Sequence, residues 1–299
     1  MNMNLFTKGM VLSVIGAALW GISGTFGQFL FVEKNFTPQW LVTIRLLLAG
    51  FIMLIFSYKT NKNNIFKIWT SKKDSLHLLI FSIIGMMPVQ YTYFVAIKYS
   101  NAATATILQY LGPIIIIIYI SIRYKKLPNK NELIAVIFAM IGIFILSTHG
   151  DINSLAISPY ALFFGLASAF ALAFYTLNPV KLLEKWDSSI VIGWSMLIGG
   201  IFLSFIHNPF KFNGVIDTWS ILCLLFVIIF GTLIAFFLYL NSIKYIGATK
   251  ASLFACVEPL SAAFFSIAWL NIPFETMDWI GFIFILLTVF ILSFSKHSN

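Results

Sequence analysis

Ten stretches of this 299-residue chain carry almost no charge, and each is close to the length that crosses a hydrocarbon layer. They fall near 9–31, 38–58, 76–98, 102–122, 131–148, 157–178, 189–207, 217–240, 249–270 and 277–295. About 20 apolar residues are needed to span the bilayer core as a helix, and a backbone in lipid must satisfy its own hydrogen bonds. The expected fold class is therefore all-α: a polytopic membrane protein with ten transmembrane helices. Polar breaks such as "KTNKNN", "RYKKLPNKNE", "HGDINS" and "HNPFKFNG" separate the runs.

Composition excludes the other broad classes. Apolar and aromatic residues make up 60% of the chain and charged residues only 10%, where a soluble domain carries about 25%. The net charge of +9 is no sign of a nucleic-acid partner, because the lysines sit in short clusters between apolar runs. Cys223 and Cys256 lie inside apolar runs and suggest neither a disulfide framework nor a metal site. The first apolar stretch follows Lys8 and continues without a signal-peptide cleavage pattern, so it reads as a retained first span.

Lysine and arginine also set direction. If the amino terminus is cytoplasmic, Lys8, the five lysines between 59 and 73, Arg123, Lys125, Lys126, Lys130, Lys181, Lys185, Lys244, Lys250 and Lys296 fall inside. Only Lys34, Lys98 and Lys211 fall outside, and Arg45 lies within a span. Cytoplasmic loops are enriched in these residues, so both termini are expected in the cytoplasm. Trp40, Trp269 and Trp279, near span ends, fit interfacial anchoring.

The chain repeats itself. Shifted by 146 positions, "AIKYSNAATATILQYLGPIIIII" from Ala96 overlies "SIKYIGATKASLFACVEPLSAAF" from Ser242. The register pairs Lys98 with Lys244, Ala102 with Ala248 and Pro113 with Pro259, and runs on to "FILS" at 144–147 and 290–293. A weaker match joins "AALWGISGTFGQ" (17–28) to "SAFALAFYTLNP" (168–179). Two units follow, 1–150 with spans one to five and 151–299 with spans six to ten. An odd number of spans per unit inverts the second relative to the first, an architecture common among secondary transporters.

These residues carry a family resemblance. "AALWGISGTFG", "TIRLLLAGFIML", "YFVAIKYSNAATATILQYLGPI" and "YLNSIKYIGATKASLFACVEPLSAAFFSIAWL" resemble the EamA family of the drug/metabolite transporter superfamily, over nearly the whole chain. The resemblance implies two inverted five-span halves and export of amino acids, amines, purine-like metabolites or drugs. The Gly-Glu pair that the family often writes after the fourth and ninth spans reads Tyr124-Lys125 and Leu270-Asn271 here.

Two charged residues lie deep in spans, Arg45 and Glu258. Either costs roughly 2.5–3.5 kcal/mol at a helix centre and calls for a partner or a polar cavity. Glu258 reads as a proton- or cation-binding carboxylate, or as a packing residue tied to Arg45. Its repeat mate is Gly112, so the repeated scaffold does not itself require an acid there. Arg45 reads as structural or gating. Pro113 and Pro259 each remove a helix hydrogen bond and read as matched kinks, serving either rocking or simple fit.

By analogy with the family, Trp20, Ser23, Gln28, Gln90, Tyr91, Tyr93, Gln109, Tyr110, Tyr175, Asn178, Tyr239 and Asn241 are candidates to line a cavity. Aromatic rings with one acid would attract an ammonium group. Small residues such as those of "GISGTFG" read as packing seams. No nucleotide fingerprint is present and no cofactor is expected. The functional expectation is a plasma-membrane secondary transporter, acting as monomer or homodimer, that exports a small organic metabolite with protons as candidate coupling ion. Import of a cationic amine is the alternative. An intramembrane enzyme is the rival from another class, but His77, His149, His207 and His297 all lie near span ends or the terminus.

Overall fold

A computed structural model of the protein describes residues 4–125, 127, 129–151, 156–255 and 257–293; Lys126, Cys256, Lys296 and His297 lie outside them. Among the described residues every regular element is helical. The first half holds α1 (Leu5–Val32), α2 (Pro38–Asn61), α3 (Lys72–Ile80), α4 (Met87–Tyr99), α5 (Ala102–Gln109), α6 (Gly112–Tyr124) and α7 (Lys130–Thr148). The second holds α8 (Pro159–Leu177), α9 (Val180–Lys185), α10 (Ser188–Ile206), α11 (Thr218–Ile228), α12 (Ala235–Ile246), α13 (Ala248–Phe254), α14 (Val257–Ala268) and α15 (Thr276–Ser293). Among the described residues, each expected apolar run falls mainly on helix. Among the described residues, eight helical runs are long and apolar enough to cross a membrane, and the apolar helices Leu133–Thr148 and Thr276–Thr288 are shorter.

Local chemistry sets the ends. Asn101 and Ser158 accept the backbone N–H groups of Thr104 and Ala161, satisfying donors that a helix start leaves open. Asp217 and Ser220 form a reciprocal capping box at the start of α11. The polar break after α2 is not a free loop but a 3-10 turn, Lys62–Thr70, that leads into α3.

The runs Lys72–Tyr99 and Thr218–Ile246 are each interrupted by a π turn, Phe81–Met86 and Ile229–Ile234. In both the next backbone N–H reaches five residues back, Met87 to Ser82 and Ala235 to Phe230. Gly85 and Gly231 lie in these turns, and the 146-residue shift pairs them. Such turns free backbone carbonyls and often mark functional positions.

The prolines do not simply kink continuous helices. Helix is broken at Tyr110–Leu111 and again after Phe254, and Pro113 and Pro259 stand in the first turns of α6 and α14. Proline is tolerated there because the first N–H groups of a helix have no intrahelical partner. The two breaks meet, the Tyr110 hydroxyl donating to the Ala255 carbonyl.

Packing crosses between halves. α1 lies against α11, α12 and α14, whereas α8 lies against α4, α5 and α6; α2 pairs with α10, and α7 with α15. Glycines permit this closeness: a Cβ on Gly16 would sit 3.0 Å from the Ala235 carbonyl oxygen. Two clamps repeat the pattern. Lys34 beyond α1 pairs with Asp217 at 2.6 Å, and Lys185 at the end of α9 pairs with Asp74 at 3.3 Å. Beside the first, Trp40 Nε1 donates to the Pro209 carbonyl and its ring meets Phe212; beside the second, Trp194 Nε1 donates to the Ile65 carbonyl and its ring meets Phe66. Phe66 and Phe212 are again 146 positions apart.

Candidate functional site

Between the α1 group and the α8 group lies a small chamber of about 30 Å³. Trp20 and Ser23 come from α1, Phe236 from α12 and Glu258 from α14; Val89, Gln90, Tyr93 and Phe94 come from α4, Gln109 from α5, and Leu172 and Tyr175 from α8. Arg45 closes it from α2. By the measure of about 10–15 Å³ per water, the space is narrow, so a larger solute requires the walls to part.

The chamber is unusual in what it leaves unpaired. Trp20 Nε1, Ser23 Oγ, Arg45 Nε and Nη1, Gln90 Oε1 and the Tyr175 hydroxyl all lack a hydrogen-bond partner among the described residues. Buried polar groups are normally bonded, and each exception costs about 1–3 kcal/mol. Arg45 touches its surroundings through Nη2, 3.4 Å from the Gly231 carbonyl of the second π turn, and through the Phe94 ring, 4.6 Å away. Glu258 is 4% exposed and Arg45 2%. They share the chamber, and no ion pair joins them among the described residues.

Of the residues singled out from sequence, Trp20, Ser23, Arg45, Gln90, Tyr93, Gln109, Tyr175 and Glu258 are brought to one chamber. Tyr239 stands just behind it, its ring 4.8 Å from Trp20 and its hydroxyl 3.5 Å from that of Thr176. The others are placed elsewhere. Gln28 accepts the Ala102 N–H at 2.8 Å, so its amide caps α5. Tyr91 meets Gln39, Asn241 donates to Phe237 of its own helix, and the backbone carbonyl of Asn178 faces His77. Tyr110 is committed to Ala255. Val89, Phe94, Leu172 and Phe236 were missed; Phe236 is the 146-residue mate of Gln90, so the repeat held a signal for it.

The EamA-like transporter family model matches residues 7–148 and again 159–294. The chain belongs to this family. It is 41% identical over 290 residues to the uncharacterized inner membrane transporter YicL of Salmonella typhimurium, covering 97% of this chain and 96% of that one. It is 24% identical over 276 residues to the uncharacterized transporter YyaM of Bacillus subtilis, covering 89% and 87%. One crystal structure, 14% identical in sequence, superposes with a TM-score of 0.66 over 95% of this chain and 96% of that chain, a likeness of fold. EamA membership places the chain among membrane transporters, not in an enzyme class.

Proposed function

We propose that this EamA protein is a secondary transporter that exports a small organic metabolite, an amino acid, amine or drug-like compound, across the plasma membrane by alternating access. The observation that carries the reading is the narrow chamber between two helix groups, lined by Glu258, Arg45 and polar atoms without partners. In this reading ten spans form two inverted five-helix repeats, 1–150 and 151–299, with both termini in the cytoplasm. The twofold family match, the crossed packing of α1 and α8, and the distribution of lysine support it. The inner-membrane location in YicL's name supports the plasma membrane here.

Glu258 is the coupling residue in this scheme, exchanging a proton or the solute's cationic group as the two helix groups part on alternate faces. One charge moved fully across the membrane is worth about 2.3 kcal/mol per 100 mV, enough for tens-fold accumulation. Import of a cationic amine, such as a quaternary ammonium compound, would use the same acid and rings and differs in direction. Solute flux in proteoliposomes under imposed pH gradients of either sign tests both. Glu258→Gln is expected to leave the protein folded and its flux indifferent to the gradient; unchanged gradient dependence rejects the coupling role.

A further inference from the structure

We propose that the corner formed by the end of α2, the 3-10 turn and the start of α3 is a binding site for anionic phospholipid headgroups. The segment carries five lysines between residues 59 and 73. Lys59, Lys67, Lys72 and Lys73 are exposed, and none of them enters an ion pair among the described residues. Asp74, the acid of this stretch, is already held by Lys185 and by Trp186 Nε1. On the neighbouring α9 and the cap of α10, Lys181 and Lys185 offset Glu184 and Asp187. The four lysines therefore stand against Asp74 alone, and three positive charges go unanswered.

The internal repeat shows that the fold does not call for these charges. The 146-residue shift lays this corner over the one around Phe212, where the same device recurs: a tryptophan donates to a backbone carbonyl and packs on a phenylalanine. Ser71 and Asp217 cap the matching helices, each accepting the N–H three residues on. Yet the mates of Lys59, Lys62, Lys67, Lys72 and Lys73 are Phe205, Asn208, Asn213, Thr218 and Trp219. Lys72 and Lys73 also occupy the first turn of α3, the positive end of a helix, where acids are favoured and cations are not. Orientation during insertion asks for lysines on one side of the membrane, but not for lysines in that turn. An anion at the corner accounts for both features.

The surroundings say which anion. Exposed apolar side chains on α2 run through Ile55 and Phe56 to Tyr58 and stop at Lys59; on α3 they resume at Leu76. The lysines thus edge the lipid-facing surface, at the level of the headgroups. Ile65 and Ile68 are buried and hold the 3-10 turn against Trp194 of α10, while Phe66 is 58% exposed and available to the acyl region. Trp69, Trp186 and Trp194 gather at the same corner, as interfacial tryptophans do. A soluble polyanion would answer the lysines and leave this apolar border unused. From here α3 leads through the π turn into α4, which carries Gln90 and Tyr93 of the chamber, so a lipid held at the corner bears on one chamber wall.

The test titrates the full-length protein, in a neutral detergent, with phosphatidylglycerol and with phosphatidylcholine of the same acyl chains. Bound lipid is counted by native mass spectrometry and read again as thermal stabilisation; inorganic phosphate and poly-glutamate are the lipid-free arms. A lysine beside an anionic surface is worth roughly fivefold in binding, so wild type is expected to prefer phosphatidylglycerol by about tenfold or more. Lys59→Gln, Lys67→Gln, Lys72→Gln and Lys73→Gln together should abolish that preference, and arginine at the same four positions should keep it. Lys125→Gln, Lys130→Gln, Lys244→Gln and Lys250→Gln remove the same charge elsewhere and should leave it intact. Equal affinity for the two lipids, a preference that survives the first set, or an equal loss in the second set overturns the assignment. Stabilisation by phosphate or poly-glutamate that matches phosphatidylglycerol gives the lysines to a soluble anion and overturns it too. Should the fourfold glutamine variant not fold, Lys72→Gln with Lys73→Gln decides, with a loss of about tenfold expected. Binding is read without solute flux, so its outcome is separate from that of the transporter reading.

Discussion

Replacing Tyr175 with phenylalanine should stabilise the solute-free protein while impairing transport. Tyr175 is fully buried, its ring stacked on Phe81 at 5.6 Å and set edge-on to Phe236 at 5.6 Å. Phenylalanine keeps those contacts, so the substitution removes little beyond a hydroxyl without a hydrogen-bond partner. An unpaired buried hydroxyl costs about 1–3 kcal/mol, and its removal should return roughly 1 kcal/mol or more. The same edit at Tyr110 is the internal control, because its hydroxyl donates to Ala255 across the two helix breaks. Loss of that bond should destabilise by about 0.5–1.5 kcal/mol. Unfolding of the purified variants, followed by tryptophan fluorescence against temperature and against denaturing detergent, reads both signs; flux in vesicles reads function. A Tyr175→Phe protein less stable than wild type by more than about 0.5 kcal/mol would refute the reasoning, since the hydroxyl would then have been bonded.

Two further outcomes follow from the packing. A Cβ on Gly50 would lie 3.0 Å from both the Gly193 carbonyl oxygen and the Leu197 Cα, backbone atoms that cannot swing aside. Gly50→Ala should therefore prise α2 from α10 and lower stability by about 1–3 kcal/mol, seen as a reduced unfolding temperature; an unchanged one would show that the helix pair has slack. At the Lys34 clamp, the Lys34 ammonium and then the Ser220 N–H hold the Asp217 carboxyl below the usual carboxylate range. A lowered folded pKa stabilises above the unfolded value and the gain is lost as pH falls through the folded one, so wild type should lose stability below about pH 4. Asp217→Asn should flatten that acid limb of the unfolding profile, and an identical profile would discount the clamp.

Much of this molecule was legible in its sequence because lipid leaves few options. Apolar runs fixed where helices lie, and the charges at Arg45 and Glu258, too costly to face hydrocarbon, pointed to a shared interior. The 146-residue register carried more than its prolines: it also pairs Gly85 with Gly231, Phe66 with Phe212 and Gln90 with Phe236. What spacing did not encode is which helix packs on which. Lys34 and Asp217 are 183 positions apart and meet only because α1 lies against the second half. Gln28 and Tyr110 looked like cavity residues for a related reason. Polar side chains in a span are conspicuous, but whether one faces a cavity or a neighbouring backbone depends on the crossing of two helices, as Ala102 and Ala255 show.

The exchange of α1 and α8 between halves bears on how the chain is made. During synthesis α1 reaches the membrane long before α12 and α14 exist, so its glycine face must wait, shielded by lipid or by an insertion factor. Neither half can reach its final arrangement alone. A chain severed near residues 152–155 should regain activity only when both fragments are produced in the same cell, and the first fragment by itself should be a ready target for quality-control proteases.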